Sequence, residues 1–309
     1  MKVLASRRFP GPAFAELRDV ELLDGPLPEA LGGGRPGVRA LAVVGERVDA
    51  PVLDLVPDLE LVANYGVGYD GVDVAACRER GVTVTNTPGV LDGATADLAF
   101  ALILASRRRV VEGDGFVRAA KWRSGWAVGE LLGEDVSGAT LGIVGLGRIG
   151  RAVAGRARAF DMRVLYAQRH RLSPADERDL GVEHRELDDL FAEADVVTLH
   201  VPLTPETRGL VDSRRLALMR PGACLVNTAR GEIVDETALV RALVDGRLRA
   251  GLDVFASEPE IPEALLELPN VVLTPHVGSA TSATREAMTR VLVDNILAAE
   301  AGRPLPNPV

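Results

Sequence analysis

The run Leu141-Gly142-Ile143-Val144-Gly145-Leu146-Gly147-Arg148-Ile149-Gly150 constrains this chain more than any other stretch. A short apolar strand, Leu141 to Val144, runs into a glycine turn, and a helical pattern follows from Arg148. Gly145, Gly147 and Gly150 hold the spacing G-x-G-x-x-G. In that spacing the first glycine makes a tight turn, the second lets backbone approach a pyrophosphate, and the third lets helix and strand pack closely. The N–H groups of the first helical turn, at Arg148, Ile149 and Gly150, have no partner within the helix and suit an anion. Glycine turns also have purely structural uses. Strand, turn and helix in this order are the context that a dinucleotide site requires.

Either side of this stretch, apolar runs alternate with helical patterns. Before it, strands are expected at Lys2–Ser6, Arg39–Val44, Leu59–Tyr65 and Val82–Asn86, with helices at Ala13–Asp19, Pro51–Val56 and Val72–Arg80. Gly25 to Gly37 reads as a loop. Ala94–Val111 reads as one long, almost wholly apolar helix, which should be buried between elements or subunits. Its basic end, Arg107-Arg108-Arg109, suits a solvated helix C-terminus. After the glycine strand, further strands are expected at Arg163–Ala167, Val196–His200, Cys224–Asn227, Ala250–Val254 and Val271–Thr274. Helices are expected at Leu187–Ala194, Ser213–Leu218 and Glu236–Asp245, and a last one at Ala283–Ala299. Continuous apolar strands alternating with helices define an α/β protein with parallel sheets covered on both faces. A chain of 309 residues is long for one core and points to two such domains.

The end of the second strand speaks to the cofactor. Enzymes that take NAD(H) place an acid there, about twenty residues beyond the glycines, on the ribose 2′-OH; arginine there meets a 2′-phosphate. Here the strand ends Gln168-Arg169-His170-Arg171, with no acid. Arg169 can pair bidentately with a phosphate, assisted by His170 or Arg171. NADP(H) is therefore the expected cofactor, with NAD(H) possible; the alternative is a solvated basic loop.

Three polar residues stand just beyond later strands: Arg230 in Asn-Thr-Ala-Arg-Gly-Glu, Glu258 in Ala-Ser-Glu-Pro, and His276 in Thr-Pro-His-Val-Gly-Ser-Ala. Ligands of open parallel sheets bind at that end. Singly each has a bland reading as surface charge, loop residue or cap. Beside a hydride carrier they form a set. His200, at a strand end, should have a positional, satisfied role, and His184 falls in a charged connector.

These segments resemble the D-isomer-specific 2-hydroxyacid dehydrogenases, most closely the glyoxylate/hydroxypyruvate reductase branch. The resemblance runs from about Asn64 onward and includes Asn-Tyr-Gly-Val-Gly-Tyr-Asp (64–70), Thr-Pro-Gly-Val-Leu (87–91), His-Val-Pro-Leu-Thr (200–204) and Gly-Arg-Pro-Leu-Pro-Asn-Pro-Val (302–309). It implies two doubly wound parallel-sheet domains: a flavodoxin-like substrate domain from residues 1–97 and 283–309, and a Rossmann cofactor domain from 98–282. The active site would lie between them, with closure excluding water. It implies reduction of a 2-keto acid, which needs a hydride on the carbonyl carbon and a proton on its oxygen. In that reaction His276 is the natural acid near neutral pH, Glu258 should hydrogen-bond it and favour the imidazolium, and Arg230 should grip the carboxylate and polarise the carbonyl. The backbone N–H groups of Val67 and Gly68 would also hold the substrate carboxylate. Pro202, Thr228 and Asp253 would line the nicotinamide, Asp253 on its carboxamide, with Gly278 beside the cofactor and Ser279 at the substrate. It also implies a homodimer. Relatives often carry bulky aromatics in the segment equivalent to Trp122–Leu132; here Trp122 and Trp126 are present, but Val128-Gly129-Glu130 is smaller and more polar.

Composition excludes other classes. The net charge of −9 and the lack of a basic stripe argue against nucleic acid and anionic membranes as partners. The longest apolar stretch, Leu98–Ala105, is too short to span a bilayer. Cys77 and Cys224 lack metal-ligand spacing and read as buried residues of a reducing compartment, and no signal peptide opens the chain, so a cytoplasmic protein without a metal is expected. The expected function is NADPH-dependent reduction of a small 2-keto acid. Two alternatives stand beside it: an NAD-dependent dehydrogenase of another 2-hydroxy acid such as phosphoglycerate, and a non-enzymatic dinucleotide-sensing protein of the same fold.

Overall fold

Apolar strands that bury both faces need helices on both sides, and the chain satisfies this twice over. The computed structural model describes residues 1–123, 125 and 128–309. It divides into two compact units, residues 1–92 with 279–309, and residues 93–278. The division falls at 92/93 and 278/279, a few residues from the expected 97/98 and 282/283.

In the first unit, β1 (Val3–Ala5), β2 (Val20–Leu22), β3 (Ala40–Val43), β4 (Leu61–Asn64) and β5 (Thr83–Thr85) form a sheet of order β2-β1-β3-β4-β5. Every pair is parallel, and the order is the flavodoxin-like one. Helices α1 (Leu27–Leu31), α2 (Ala50–Asp54) and α3 (Val74–Glu79) connect the strands. Asp73 caps α3 by accepting from the Ala76 amide at 2.9 Å, a contact worth about 1 kcal/mol. Leu4, Leu41, Val62 and Val84 fill one core cluster with residues of these helices.

The second unit opens with α4 (Asp92–Arg107) and α5 (Val110–Arg118). There follow β6 (Thr140–Val144), α6 (Arg148–Arg158), β7 (Arg163–Ala167), α7 (Pro174–Leu180), β8 (Val182–His184), α8 (Leu187–Glu193) and β9 (Val196–Leu199). Then come α9 (Ser213–Leu218), β10 (Cys224–Asn227), α10 (Glu236–Val244), β11 (Arg249–Leu252), α11 (Glu263–Leu266) and β12 (Val271–Leu273). The sheet order is β12-β11-β10-β9-β6-β7-β8, all parallel. The chain leaves β6 in one direction and resumes at β9 in the other, which is the Rossmann switch point. Side chains alternate between two cores: Leu141, Ile143, Val164 and Tyr166 on one face, Val144, Leu165, Val197 and Leu199 on the other. Finally α12 (Ser282–Glu300) returns to the first unit and packs against β4.

Several features depart from the sequence reading. The expected loop Gly25–Gly37 contains α1, which buries Leu27 and Leu31 and ends at Gly32. The expected helix Ala13–Asp19 is a short 3-10 helix over Pro12–Glu16. α7, capped by Ser173, and α11 were not expected. β2 and β8 were not expected; each is a three-residue edge strand carrying a glutamate, the short charged form that blunts an exposed edge. His184 accordingly lies in β8 rather than a connector, with its ring edge-on to Tyr166 at 5.3 Å. The expected helix from Ala94 to Val111 is instead two, broken where Arg109 takes a left-handed φ of 53°. The break has a cause: the Arg107 carbonyl, which a continuing helix would use, accepts the Glu134 amide at 2.8 Å. Arg107 is also no solvated cation. It is 6% exposed, and its guanidinium donates to the carbonyls of Asp135 and Asp195.

Candidate active site

The glycine turn follows from steric exclusion. Gly145 has φ 91°, and a Cβ there would lie 2.6 Å from the His200 carbonyl oxygen. A Cβ on Gly150 would lie 2.2 Å from the Gly145 carbonyl oxygen, so α6 touches the turn directly. A Cβ on Gly147 would meet nothing within 4 Å. Two glycines thus bring the chain together, and the third leaves open space in front of it. No side chain caps α6 and no acid sits in its first turn, so the helix end is suited to a phosphate. The Thr228 hydroxyl, just past β10 of the same sheet, is buried without a hydrogen-bond partner among the described residues. The open cradle and this orphaned hydroxyl fit a dinucleotide.

Gln168 fills the place of the ribose-binding acid. Its carbonyl oxygen accepts the Leu146 amide at 3.2 Å, and its amide donates to the His170 carbonyl. Arg169 is exposed beside it. Arg171 is committed elsewhere: it binds Glu177 through two bonds of 2.8 and 3.0 Å. Tyr166 also donates to Glu177, at 2.8 Å, and accepts the Leu172 amide at 2.9 Å. The hydrogen bonds from Arg171, then from Tyr166, lower the Glu177 carboxyl to about 2.

Beyond β10, β11 and β12 the structure brings Glu258 and His276 together. Glu258 Oε2 lies 2.7 Å from His276 Nδ1, and its Oε1 accepts the Phe255 amide at 3.0 Å. Burial alone raises the Glu258 carboxyl; the bonds from His276 and Phe255 and the charges of His276 and Arg230 outweigh it and hold it below its ordinary value. With Nδ1 engaged, Nε2 is the nitrogen left for a ligand, and the His276 side chain is 48% exposed. His276 itself has a left-handed φ of 52°, which costs a non-glycine residue about 1–3 kcal/mol. Asp253 holds it there. The Asp253 carbonyl accepts the His276 amide at 2.8 Å, and its carboxylate accepts Thr274 Oγ1 at 2.6 Å and the amides of Val277 and Gly278 at 2.8 Å. Asp253 is 1% exposed, and that burial raises its carboxyl in spite of these bonds. The resemblance assigns Asp253 to the nicotinamide carboxamide; in this chain it also builds the turn that carries His276 and Gly278.

Arg230 ends a turn after β10 that Asn227 shapes. The Asn227 side chain donates to the Arg230 carbonyl at 2.8 Å and accepts the Ala229 amide at 3.0 Å. The Arg230 guanidinium donates to the Ala229 carbonyl at 2.8 Å. Next to it, a Cβ on Gly231 would fall 2.0 Å from the Phe255 carbonyl carbon. That contact sets the Arg230 turn directly against the segment that leads to Glu258. Asn227, Gly231 and Thr274 were not singled out in the sequence. The readable hint was an asparagine ending a strand before a turn, where its side chain can bond the backbone. Pro202 is exposed, and its carbonyl accepts Thr207 Oγ1 at 2.6 Å. His200 bonds Thr198 Oγ1 at 2.9 Å, and burial lowers it to about 4, so it stays neutral as a positional residue should.

Val67, Gly68 and Ser279 belong to the first unit. The Asn64 side-chain amide donates to the Gly66 and Gly68 carbonyls at 3.2 and 2.9 Å, and that of Asn86 to the Val67 carbonyl at 2.9 Å. The Thr87 amide donates to the Gly66 carbonyl at 3.0 Å. Trp122 is 59% exposed, and Trp126 lies outside the described residues. Cys77 and Cys224 are buried free thiols, each raised by burial to about 11. Among the described residues no helix is long and apolar enough to cross a membrane, and no cluster of three or more metal-binding side chains occurs.

A Rossmann unit with a glycine cradle, an Arg–Glu–His set and a companion flavodoxin-like unit defines an NAD(P)-dependent oxidoreductase. The family described as "D-isomer specific 2-hydroxyacid dehydrogenase, NAD binding domain" matches residues 100–278. The chain belongs to the D-isomer-specific 2-hydroxyacid dehydrogenase family, and its cofactor is a nicotinamide dinucleotide. It is 50% identical over 266 residues to a glyoxylate reductase of Pyrococcus furiosus, covering 85% of this chain and 79% of that protein. It is 45% identical over 298 residues to a glyoxylate reductase of Aeropyrum pernix, covering 94% and 89%. Among solved structures, an NADPH-dependent glyoxylate/hydroxypyruvate reductase of Sinorhizobium meliloti, in complex with NADP and malonate, superposes with TM-score 0.90. That pair is 37% identical, covering 100% of this chain and 96% of the other.

Proposed function

We propose that this protein is an NADPH-dependent reductase of small 2-keto acids of the glyoxylate and hydroxypyruvate type. The observation that carries the reading is the 2.7 Å contact between Glu258 and His276 Nδ1, which orients Nε2 as a proton donor. A bound nicotinamide supplies the hydride to the carbonyl carbon. His276 Nε2 gives the carbonyl oxygen its proton, and Glu258 stabilises the imidazolium before the transfer. Arg230 binds the carboxylate and polarises the carbonyl. Gly145, Gly147 and the amides of Arg148, Ile149 and Gly150 hold the pyrophosphate, with Pro202, Thr228, Asp253 and Gly278 around the nicotinamide. Val67 and Gly68 supply carboxylate-binding amides, and Ser279 lies at the substrate. The unit of residues 93–278 is thus the cofactor domain, and the other the substrate domain.

Gln168 in place of an acid and the exposed Arg169 support NADPH over NADH. The substrate class is supported by the glyoxylate reductases among the relatives. A homodimer in a reducing, cytoplasmic setting accords with the exposed Val110, Val111 and Val117 along α5 and with the two free thiols. The test is consumption of NADPH and NADH with a panel of 2-keto acids, by wild type and His276→Ala. Wild type should turn over small keto acids with NADPH preferred. H276A should bind cofactor normally and lose roughly 10²–10⁴-fold in kcat. Turnover with none of the acids, or an H276A rate near wild type, would sink the assignment of the reaction or of its proton donor.

A further inference from the structure

The loop Gly66–Gly68 carries no side chain able to bind a carboxylate, so its use depends on where its amides point. A trans peptide is planar, and its N–H points opposite to the carbonyl of the preceding residue. Whatever fixes the Gly66 carbonyl therefore aims the Val67 N–H, and whatever fixes the Val67 carbonyl aims the Gly68 N–H. The first is held twice, by the Asn64 side chain at 3.2 Å and the Thr87 amide at 3.0 Å. The second is held by Asn86 Nδ2 at 2.9 Å. Among the described residues neither the Val67 N–H nor the Gly68 N–H has a hydrogen-bond partner.

Asn86 is in turn placed from far along the chain. It is 9% exposed, and its own amide donates to the Asn307 carbonyl at 3.3 Å. Asn307 is clamped by Asn295 of α12. The Asn307 amide donates to Asn295 Oδ1 at 3.0 Å, and Asn295 Nδ2 donates to Asn307 Oδ1 at 3.2 Å. Asn295 is 0% exposed and also donates to the Val291 carbonyl at 2.8 Å, so the clamp is fixed to its helix. Around Asn307 the chain bonds the edge of the sheet: Thr85 bridges Pro308, and the Val309 amide donates to the Val84 carbonyl at 3.0 Å.

We propose that Asn86, fixed by the Asn295–Asn307 pair, is a positioning residue for substrate. It aims the Gly68 N–H at the carboxylate, while Asn64 and Thr87 aim that of Val67. The proposal rests on the reading that these amides bind the substrate carboxylate. Its sharpest consequence is a division of labour between two adjacent amides. A residue that merely stabilised the fold would move both alike.

The test uses full-length protein with 15N-labelled valine and glycine, NADPH and oxamate, an unreactive 2-keto-acid mimic. In wild type, oxamate should shift the amide signals of both Val67 and Gly68. Asn86→Asp keeps the shape of the side chain but cannot donate to the Val67 carbonyl. In N86D the Gly68 shift should largely vanish and the Val67 shift persist. Oxamate should bind roughly 10-fold more weakly, the effect of one charge-assisted hydrogen bond, with NADPH affinity unchanged. If N86D does not fold, Asn86→Ser, which shortens the side chain without adding charge, makes the same comparison. Unchanged oxamate affinity in the variant, or equal loss of both amide shifts together with NADPH binding, overturns the role of Asn86 alone. Wild-type oxamate binding that moves neither amide overturns the carboxylate reading beneath it.

Discussion

Two glycine-containing loops follow parallel strands in this protein, Gly145–Gly150 after β6 and Gly66–Gly68 after β4, and they are shaped by opposite means. The first is shaped by what cannot be there. A Cβ on Gly145 or Gly150 would run into carbonyl oxygens at 2.6 and 2.2 Å, so its tight turns are set by backbone packing against backbone, with Gln168 and Arg151 bonding the Leu146 backbone besides. The second has room: the nearest atoms to a Cβ on Gly66 lie 3.6 Å away. Its shape comes from asparagine amides and the Thr87 N–H gripping its carbonyls. A loop set by steric exclusion is rigid but invariant in form. A loop set by hydrogen bonds can be re-aimed by changing one donor. On the function proposed above, the first kind of loop would meet the constant pyrophosphate of the cofactor and the second the carboxylate of the substrate.

The contrast predicts unequal responses to substitution. The largest is expected at Gly150→Ala. The new methyl would sit 2.2 Å from the Gly145 carbonyl oxygen, a backbone atom that cannot swing away. Overpacking of this kind costs about 1–3 kcal/mol, and because the strain falls on the loop itself, dinucleotide affinity should fall by up to about 100-fold. Fluorescence titration with NADPH checks this. Affinity equal to wild type would mean that the turn is not set by exclusion and would break the comparison.

A smaller and differently distributed effect is expected at Asn64→Ala. It removes the donor to the Gly66 and Gly68 carbonyls, though the Thr87 amide still holds the former. The loss of one hydrogen bond to a part-buried carbonyl costs about 0.5–1.5 kcal/mol. The keto-acid KM should rise roughly 10-fold, with NADPH affinity unchanged. Steady-state kinetics with each substrate varied separates the two. An equal rise in both KM values would show that Asn64 acts on the whole fold and not on its loop.

The same difference decides what could be read from the sequence. Steric exclusion leaves its mark in residue type, so Gly145 and Gly150, with Gly147 completing their spacing, announced the loop, and the sheet around it followed from apolar runs such as Leu141–Val144 and Val196–Leu199. Hydrogen bonds to backbone carbonyls leave no such mark. Nothing in the letters ties Asn86 to Val67, nor Asn295 to Asn307 and through it to Asn86. Arg107 is the same case: three consecutive arginines read as a solvated helix end, but the first of them is buried on two carbonyls that lie 28 and 88 residues further along. Edge strands β2 and β8 were missed because three residues with a central glutamate carry too little periodicity to register. Glu258 and His276 could be named from the motifs around them, but their contact depends on the Asp253 turn, which only the structure displays.

The smallest effect is expected where the second unit itself relies on hydrogen bonding, at the exit of the Gln168–Arg171 loop. Glu177 there accepts from Arg171 and Tyr166 and has its carboxyl lowered to about 2. The ordinary value for such a carboxyl is 4.5. A carboxyl depressed on folding contributes stability that is fully present above the unfolded value and is lost as pH falls through the folded one. The contribution should therefore be whole at pH 7 and fade between about 4.5 and about 2. Arg171 is 60% exposed, and solvent screens such pairs strongly. Glu177→Gln should thus lower Tm only slightly at pH 7, with the gap to wild type closing toward pH 3. NADPH affinity should change little, since the glycine turn does not depend on this bond. Paired melting curves at the two pH values and one NADPH titration make the check. A gap independent of pH would mean that the carboxylate charge plays no part. An NADPH loss as large as that of G150A would mean that the Gly145–Gly150 loop is held by hydrogen bonds as much as the Gly66–Gly68 loop is, and the distinction between them would fall.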